Sequence, residues 1–183
     1  MPVKALRVCV PTSITGFGSG SSVSINKNGS ISFSSITSLR INGVFSSTYD
    51  NYMMVSTTSV AGAFDLRFKL SKNTVESSSS YGYQYLYING TSQTAARSTT
   101  TIGFTMNTGV SGSYGGSTDI LYGPYLNQPT AHSSFGAAVN SNNPAIYDWA
   151  EIHTISDTYD GILILPDSAS PATGIISIYG WVK

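Results

Sequence analysis

Apolar and polar residues alternate with a period of two along much of this chain. Phe64, Leu66, Phe68 and Leu70 are separated by Asp65, Arg67 and Lys69, which makes one face apolar and the other charged. Successive side chains of a strand point to opposite faces, so the pattern predicts a half-buried antiparallel strand. Ile102, Phe104 and Met106 alternate with Gly103 and Thr105, and Ile176 and Ile178 with Ser177 and Tyr179. No window of a dozen residues carries a helical period. The strands this predicts are Leu6–Val10, Ser22–Asn26, Ser30–Ser34, Ser38–Asn42, Tyr52–Val60, Phe64–Ser71, Tyr83–Asn89, Thr100–Asn107, Thr118–Leu126, Ser133–Asn140, Ala145–Ile155, Gly161–Leu165 and Ile175–Val182.

Turn chemistry fits these intervals. Asn28-Gly29 separates Val23–Ile25 from Ile31–Phe33, a hairpin signal because both residues tolerate positive φ. Asn42-Gly43 and Asn89-Gly90 close other strands in the same way. Three loops stand out: the serine run Ser77–Ser80, read as a flexible tip; Thr108–Ser117, rich in glycine; and Asn140–Pro144. Many short strands with turns every ten residues or so predict an all-β, antiparallel, jelly-roll-like β-sandwich. The terminal run Ile175–Val182 is apolar and should be paired inside a sheet. Alternation fails after Val10, and Gly16–Ser22 reads as a linker. Residues 1–22 are therefore expected to form an extended N-terminal arm or anchor, and residues 23–183 the sandwich domain.

Composition narrows the function. Only 10 % of residues are charged and the formal net charge is zero, against about 25 % charged in an average soluble domain. Ser and Thr supply roughly fifty residues, so hydroxyls make the polar surface. The nine Lys and Arg are scattered singly, which argues against nucleic acid as a partner, since phosphate binding needs a basic stripe. A surface with little self-repulsion associates readily. One cysteine, Cys9, allows no internal disulfide. No segment has the length of a membrane span or a signal peptide's apolar region. The expectation is a chain made in a bacterial cytoplasm, without membrane insertion.

Candidate chemistry is sparse. Two separated histidines, His132 and His153, and one cysteine do not predict a metal centre, and no cofactor is expected. His153 alternates with Glu151, which predicts a surface pair on one face. Asp148, Glu151, Asp157 and Asp160 lie close in sequence but match no calcium loop. No Gly-x-Ser-x-Gly elbow marks a nucleophilic serine. The Asn-Gly-Ser and Asn-Gly-Thr sequons at Asn28 and Asn89 are expected by chance in so hydroxyl-rich a chain. The unusual constellation is Tyr81, Tyr83, Tyr85 and Tyr87, four tyrosines at spacing two on one face of one strand. Leu86 and Ile88 occupy the opposite face, which is the expected core face. The tyrosine face then packs against a neighbouring strand or subunit, subunit packing being the favoured reading, or stacks on the sugars of a surface polysaccharide.

Several segments, in order, resemble small jelly-roll virion structural proteins of tailed bacteriophages. They are Ile41-Asn42-Gly43-Val44-Phe45-Ser46-Ser47-Thr48-Tyr49-Asp50-Asn51-Tyr52, Tyr122-Gly123-Pro124-Tyr125, Asp160-Gly161-Ile162 and Ile176-Ser177-Ile178-Tyr179-Gly180. The resemblance spans most of residues 23–183 and its motifs are structural. It implies a non-enzymatic virion surface protein, a homotrimer of the tail-fibre or tail-tip type contributing to host attachment. A capsid (head) decoration protein is the alternative, and a polysaccharide-degrading enzyme is a third class. The implied partners are the chain itself, other virion proteins through the N-terminal arm, and host surface polysaccharide.

Overall fold

The computed structural model describes residues 5–60, 64–89, 91–109, 114–125, 128–140, 143–166 and 170–182. Strands and connecting turns account for them, with no helix among the described residues. The strands form two antiparallel sheets packed as a sandwich. The larger sheet runs β10 (Ser92–Thr101), β9 (Tyr81–Asn89), β14 (Asn143–His153), β13 (Thr130–Asn140), β12 (Tyr114–Tyr122), β6 (Tyr49–Val60), β16 (Ala172–Val182), β4 (Ile31–Ile36) and β3 (Ser22–Ile25). β1 (Leu6–Val8) pairs with the far end of β16. The smaller sheet runs β11 (Phe104–Gly109), β7 (Phe64–Lys72), β15 (Gly161–Pro166), β5 (Ser38–Asn42) and β2 (Ser13–Phe17), with β8 (Val75–Glu76) folded back on β7.

The alternation explains the core. Leu39, Ile41, Leu66, Phe68, Leu70, Ile162 and Ile164 point inward from the smaller sheet and are wholly buried. Ile31, Phe33, Tyr52, Met54, Leu121, Ile176 and Ile178 meet them from the larger one. Each such side chain contributes about 1.5–3 kcal/mol by leaving water. The terminal apolar run lies between β6 on one side and β4 followed by β1 on the other. Asn28-Gly29 turns the β3–β4 hairpin, with Gly29 at φ 82° and its N–H donating to Asn26 O at 2.9 Å.

The free arm is corrected. β1 pairs with β16, and β2 pairs with β5 over the whole of Ser13–Phe17. Cys9 is buried, with its N–H bonded to Ile178 O at 2.8 Å, and burial pushes its thiol up to about 11. Residues 6–17 thus belong to the sandwich. β2 was missed because Ser-Ile-Thr-Gly-Phe, an edge strand, has little to alternate. β10 was missed for the same reason, being Ser/Thr/Ala-rich and exposed along most of both faces. The proposed Thr100–Asn107 strand is two strands broken at Ile102-Gly103, which leaves Ile102 exposed. Parts of the Thr108–Ser117 and Asn140–Pro144 loops lie outside the described residues.

The segments Ile41–Tyr52, Tyr122–Tyr125, Asp160–Ile162 and Tyr179–Gly180 meet at one end of the sandwich. Asp160 O accepts the N–H groups of Val44 (3.0 Å) and Phe45 (3.2 Å), and its own N–H donates to Ser71 O. Gly161 is close enough to β5 that a Cβ would sit 2.5 Å from Ile41 O. The Tyr52 hydroxyl donates to Ser46 O at 3.0 Å and accepts from Ser46 N at 2.8 Å. Gly123, at φ 64°, donates to Asp50 O, and Pro124 O accepts from Tyr159 N. Gly180 makes room for the Tyr49 ring. These segments hold corners together, and none of these contacts is chemistry on a substrate.

Candidate functional site

β9 and β14 pair in register, with Tyr81 opposite His153, Tyr83 opposite Glu151, Tyr85 opposite Trp149 and Tyr87 opposite Tyr147. All eight side chains share the face that looks toward the smaller sheet. The expectation that Leu86 and Ile88 form the core face is corrected: Leu86 is 41 % exposed on the outer face. The tyrosine side is the inner one, since Tyr81 is wholly buried against Phe104, with ring centroids 5.1 Å apart. Four tyrosines sit inward because their register neighbours on β14 are aromatic or buried, which alternation within β9 alone does not reveal.

Burial then changes along the ladder. The smaller sheet ends at β11, which packs chiefly against β12 and β13 and only touches β14 and β9. Tyr81 lies under this cover. Its hydroxyl accepts from Leu70 N at 2.9 Å and donates to Ser77 O at 3.2 Å, and burial pushes its pKa well up. Tyr81 is therefore a core residue and no candidate for a subunit or glycan contact. Tyr83, Tyr85 and Tyr87 lie farther along and are partly exposed, as is Tyr147. Thr94, Ala96 and Ser98 of β10 flank them, opposite Tyr87, Tyr85 and Tyr83.

The rings form a fixed shelf. Tyr85 lies 4.5 Å from buried Trp149 at an interplanar angle of 34°, and Tyr83 meets the same indole edge-on at 4.8 Å. Tyr87 stacks on Tyr147 at 4.4 Å and 26°. Tyr83 and Tyr85 are 5.8 Å apart. At the rim, Asp65 pairs with Arg67 at 2.7 Å. Burial, then the neighbouring Tyr87, raises the Tyr147 phenol, with a smaller push from Asp65.

Beneath the shelf lies a buried polar layer that sequence reasoning did not find. Asp119 and Glu151 project inward, together with Ser56, Ser117, Thr105 and Ser133. Glu151 is not the surface partner of His153; both are buried. Ser56 and Ser117 hydroxyls lie 2.7 Å apart, and Ser117 donates to Asp119 Oδ2 at 3.0 Å. Thr105 N donates to Glu151 Oε1 at 2.8 Å, which pins β11 to β14. Ser133 donates to Thr105 O at 2.9 Å. Burial raises Asp119 to about 7 and Glu151 to about 8, against the pull of these donors. The sequence signal was there, an acidic residue at an inward position of each of two strands, but β12 was placed four residues late.

The remaining candidate groups do not converge. Asp148 pairs with His132 at 2.7 Å on the outer face, Asp157 with Lys72 at 2.5 Å, and Asp160 accepts from Asn73 N. His132 and Asp148 line a shallow outer groove with Gln84, Leu86 and Ala95. Ser77 and His153 do meet, Oγ to Nε2 at 2.8 Å, with Nδ1 facing Ile155 O at 3.3 Å. That is nucleophile–base distance. However, the imidazole is wholly buried between Tyr81 and Tyr159. A base that must hand its proton to a leaving group needs access to it, and this ring has none. The contact instead ties down the serine run, which is anchored further by Thr154 N donating to Ser80 O. No group of three or more metal-ligating side chains occurs among the described residues.

No family model and no curated protein matches the chain. Two solved structures are similar to it. One is the binding domain of botulinum neurotoxin serotype G, at 9 % identity and a TM-score of 0.32, covering 100 % of this chain and 45 % of that one. The other is a protein of unknown function from Shewanella oneidensis MR-1, at 12 % identity and a TM-score of 0.32, covering 93 % of this chain and 78 % of that one. Likenesses this distant say nothing of what the chain does.

Proposed function

We propose that the chain is a structural subunit on the surface of a tailed-bacteriophage virion, of the tail-fibre or tail-tip type. It assembles as a homotrimer and contributes to host attachment. The observation that carries this reading is the aromatic shelf, a row of rings held rigid by their own chain and left open where the larger sheet outruns the smaller. Rigid, partly exposed aromatic groups are costly to leave in water unless something is bound there. The order of structural motifs supports the virion setting. The role is non-enzymatic: Asp119, Glu151 and His153 are enclosed in the core, and the outward-facing His132, Asp148, Asp157 and Asp160 do not converge on one site. Gold-labelled antibody against the chain, imaged on purified virions, tests the setting. Label on the tail is expected, label on the head would make it a decoration protein, and unlabelled virions would overturn the reading.

A further inference from the structure

We infer that the shelf binds an uncharged polysaccharide, its sugar rings stacked across Tyr83, Tyr85 and Tyr87. This rests on the attachment reading for its setting and on the geometry for its chemistry. Area argues first. The partly exposed rings of Tyr83, Tyr85, Tyr87 and Tyr147 already cover one another, and leave no more than roughly 300 Å² of aromatic surface open. A stable subunit interface takes about 800 Å² from each partner. The shelf is too small to hold two copies together, and its area suits a few sugar units.

Chemistry argues next. One face of a pyranose presents C–H bonds, which meet the negative face of an aromatic ring, while its hydroxyls point sideways and need partners. The shelf offers both. Tyr83 and Tyr85 follow one another at 5.8 Å, a separation that successive sugars of a chain can follow. Thr94 and Ser98 stand beside them on exposed β10 with hydroxyls to exchange. Asp65 and Arg67 neutralise each other at the rim, so no net charge selects an acidic or basic ligand. The rings are locked by Trp149 and Tyr147 before any ligand arrives, which reduces the ordering cost of binding.

The test uses the full chain and affinity electrophoresis through gels containing dextran, mannan or galactan, with heparin as a charged control. At least one neutral polysaccharide is expected to retard the chain, and heparin is not. Tyr83→Ala with Tyr85→Ala should weaken retardation at least tenfold. Because that pair packs on Trp149, Ala96→Glu provides a second variant, on an exposed edge strand, that places charge beside Tyr85 without touching the core. It should abolish retardation with the unfolding midpoint unchanged, and Gln84→Ala on the outer face should retain it. Wild-type chain retarded by none of the neutral gels, or retarded equally in heparin or as the Ala96→Glu variant, would overturn the proposal. Sugar binding by a chain absent from virions would keep the ligand class and defeat only the attachment role.

Discussion

Two carboxyl groups in the core set how single residues respond to pH. Asp119 and Glu151 keep their protons in the folded chain up to about 7 and about 8, whereas the unfolded chain releases them near the ordinary carboxylate values of about 4. Between those limits the folded state binds more protons, so stability falls as pH rises, by up to about 1.4 kcal/mol per pH unit for each group. The loss begins above pH of about 4 and is complete above the raised values. His153 acts in the opposite sense: burial lowers its pKa, so its contribution is lost as pH falls below about 6.5. Comparison with Asp119→Asn removes the common histidine effect. The variant's unfolding midpoint should gain on the wild type's from pH 5 to about pH 7 and then level off. A constant difference between the two would mean that Asp119 is ionised in the folded chain. Besides Asp119, Arg67 and Tyr83 lie nearest Glu151, and the hydroxyls of Ser117 and Ser133, which do not titrate, hydrogen-bond Asp119. Of these only Arg67 carries charge.

Elements were legible wherever alternation was strong. Leu66, Phe68 and Leu70 announced β7, and Ile176 and Ile178 announced β16, because each strand has one wet and one dry face. Edge strands gave no such signal. β2 and β10 have little of the apolar face that a centrally packed strand shows, so hydroxyl-rich sequence read as linker. Facing was misread on β9, where aromatic and aliphatic residues occupy opposite sides. Which side is inward depends on β14, far away in sequence. The candidate tyrosines were visible, but the burial of Tyr81 was not. The N-terminal segment carries a consequence that can be measured. β2 covers the edge of β5, and Cys9 fills core space near β16. Removing residues 1–20 should therefore lower the unfolding midpoint by several degrees, on the scale of a few kcal/mol for a lost strand and its buried side chains. An unchanged midpoint would show that these strands merely lie on the sandwich and contribute nothing to it.

At the scale of the whole molecule, the proposed trimer needs a contact larger than the shelf. β10 offers one. It is ten residues long, has no proline, carries Arg97 as its only charge, and pairs only with β9 among the described strands. Free backbone groups along such an edge invite a strand from another copy, and natural edges are usually blunted by charge or proline. This edge is barely blunted, and the chain's zero net charge adds no repulsion between copies. Light scattering should thus return the mass of three 19.3 kDa chains. Tyr83→Ser with Tyr85→Ser should leave that mass unchanged, because the shelf is too small to hold subunits together. Gln93→Lys with Ala95→Lys should reduce it to one chain, since two ammonium groups on the outer side of β10 blunt this edge against a strand from another copy. A double lysine variant that keeps the full mass would remove β10 from the interface. A wild-type chain that scatters as a monomer would remove the trimer itself, leaving a single sandwich whose shelf still has its ligand to account for.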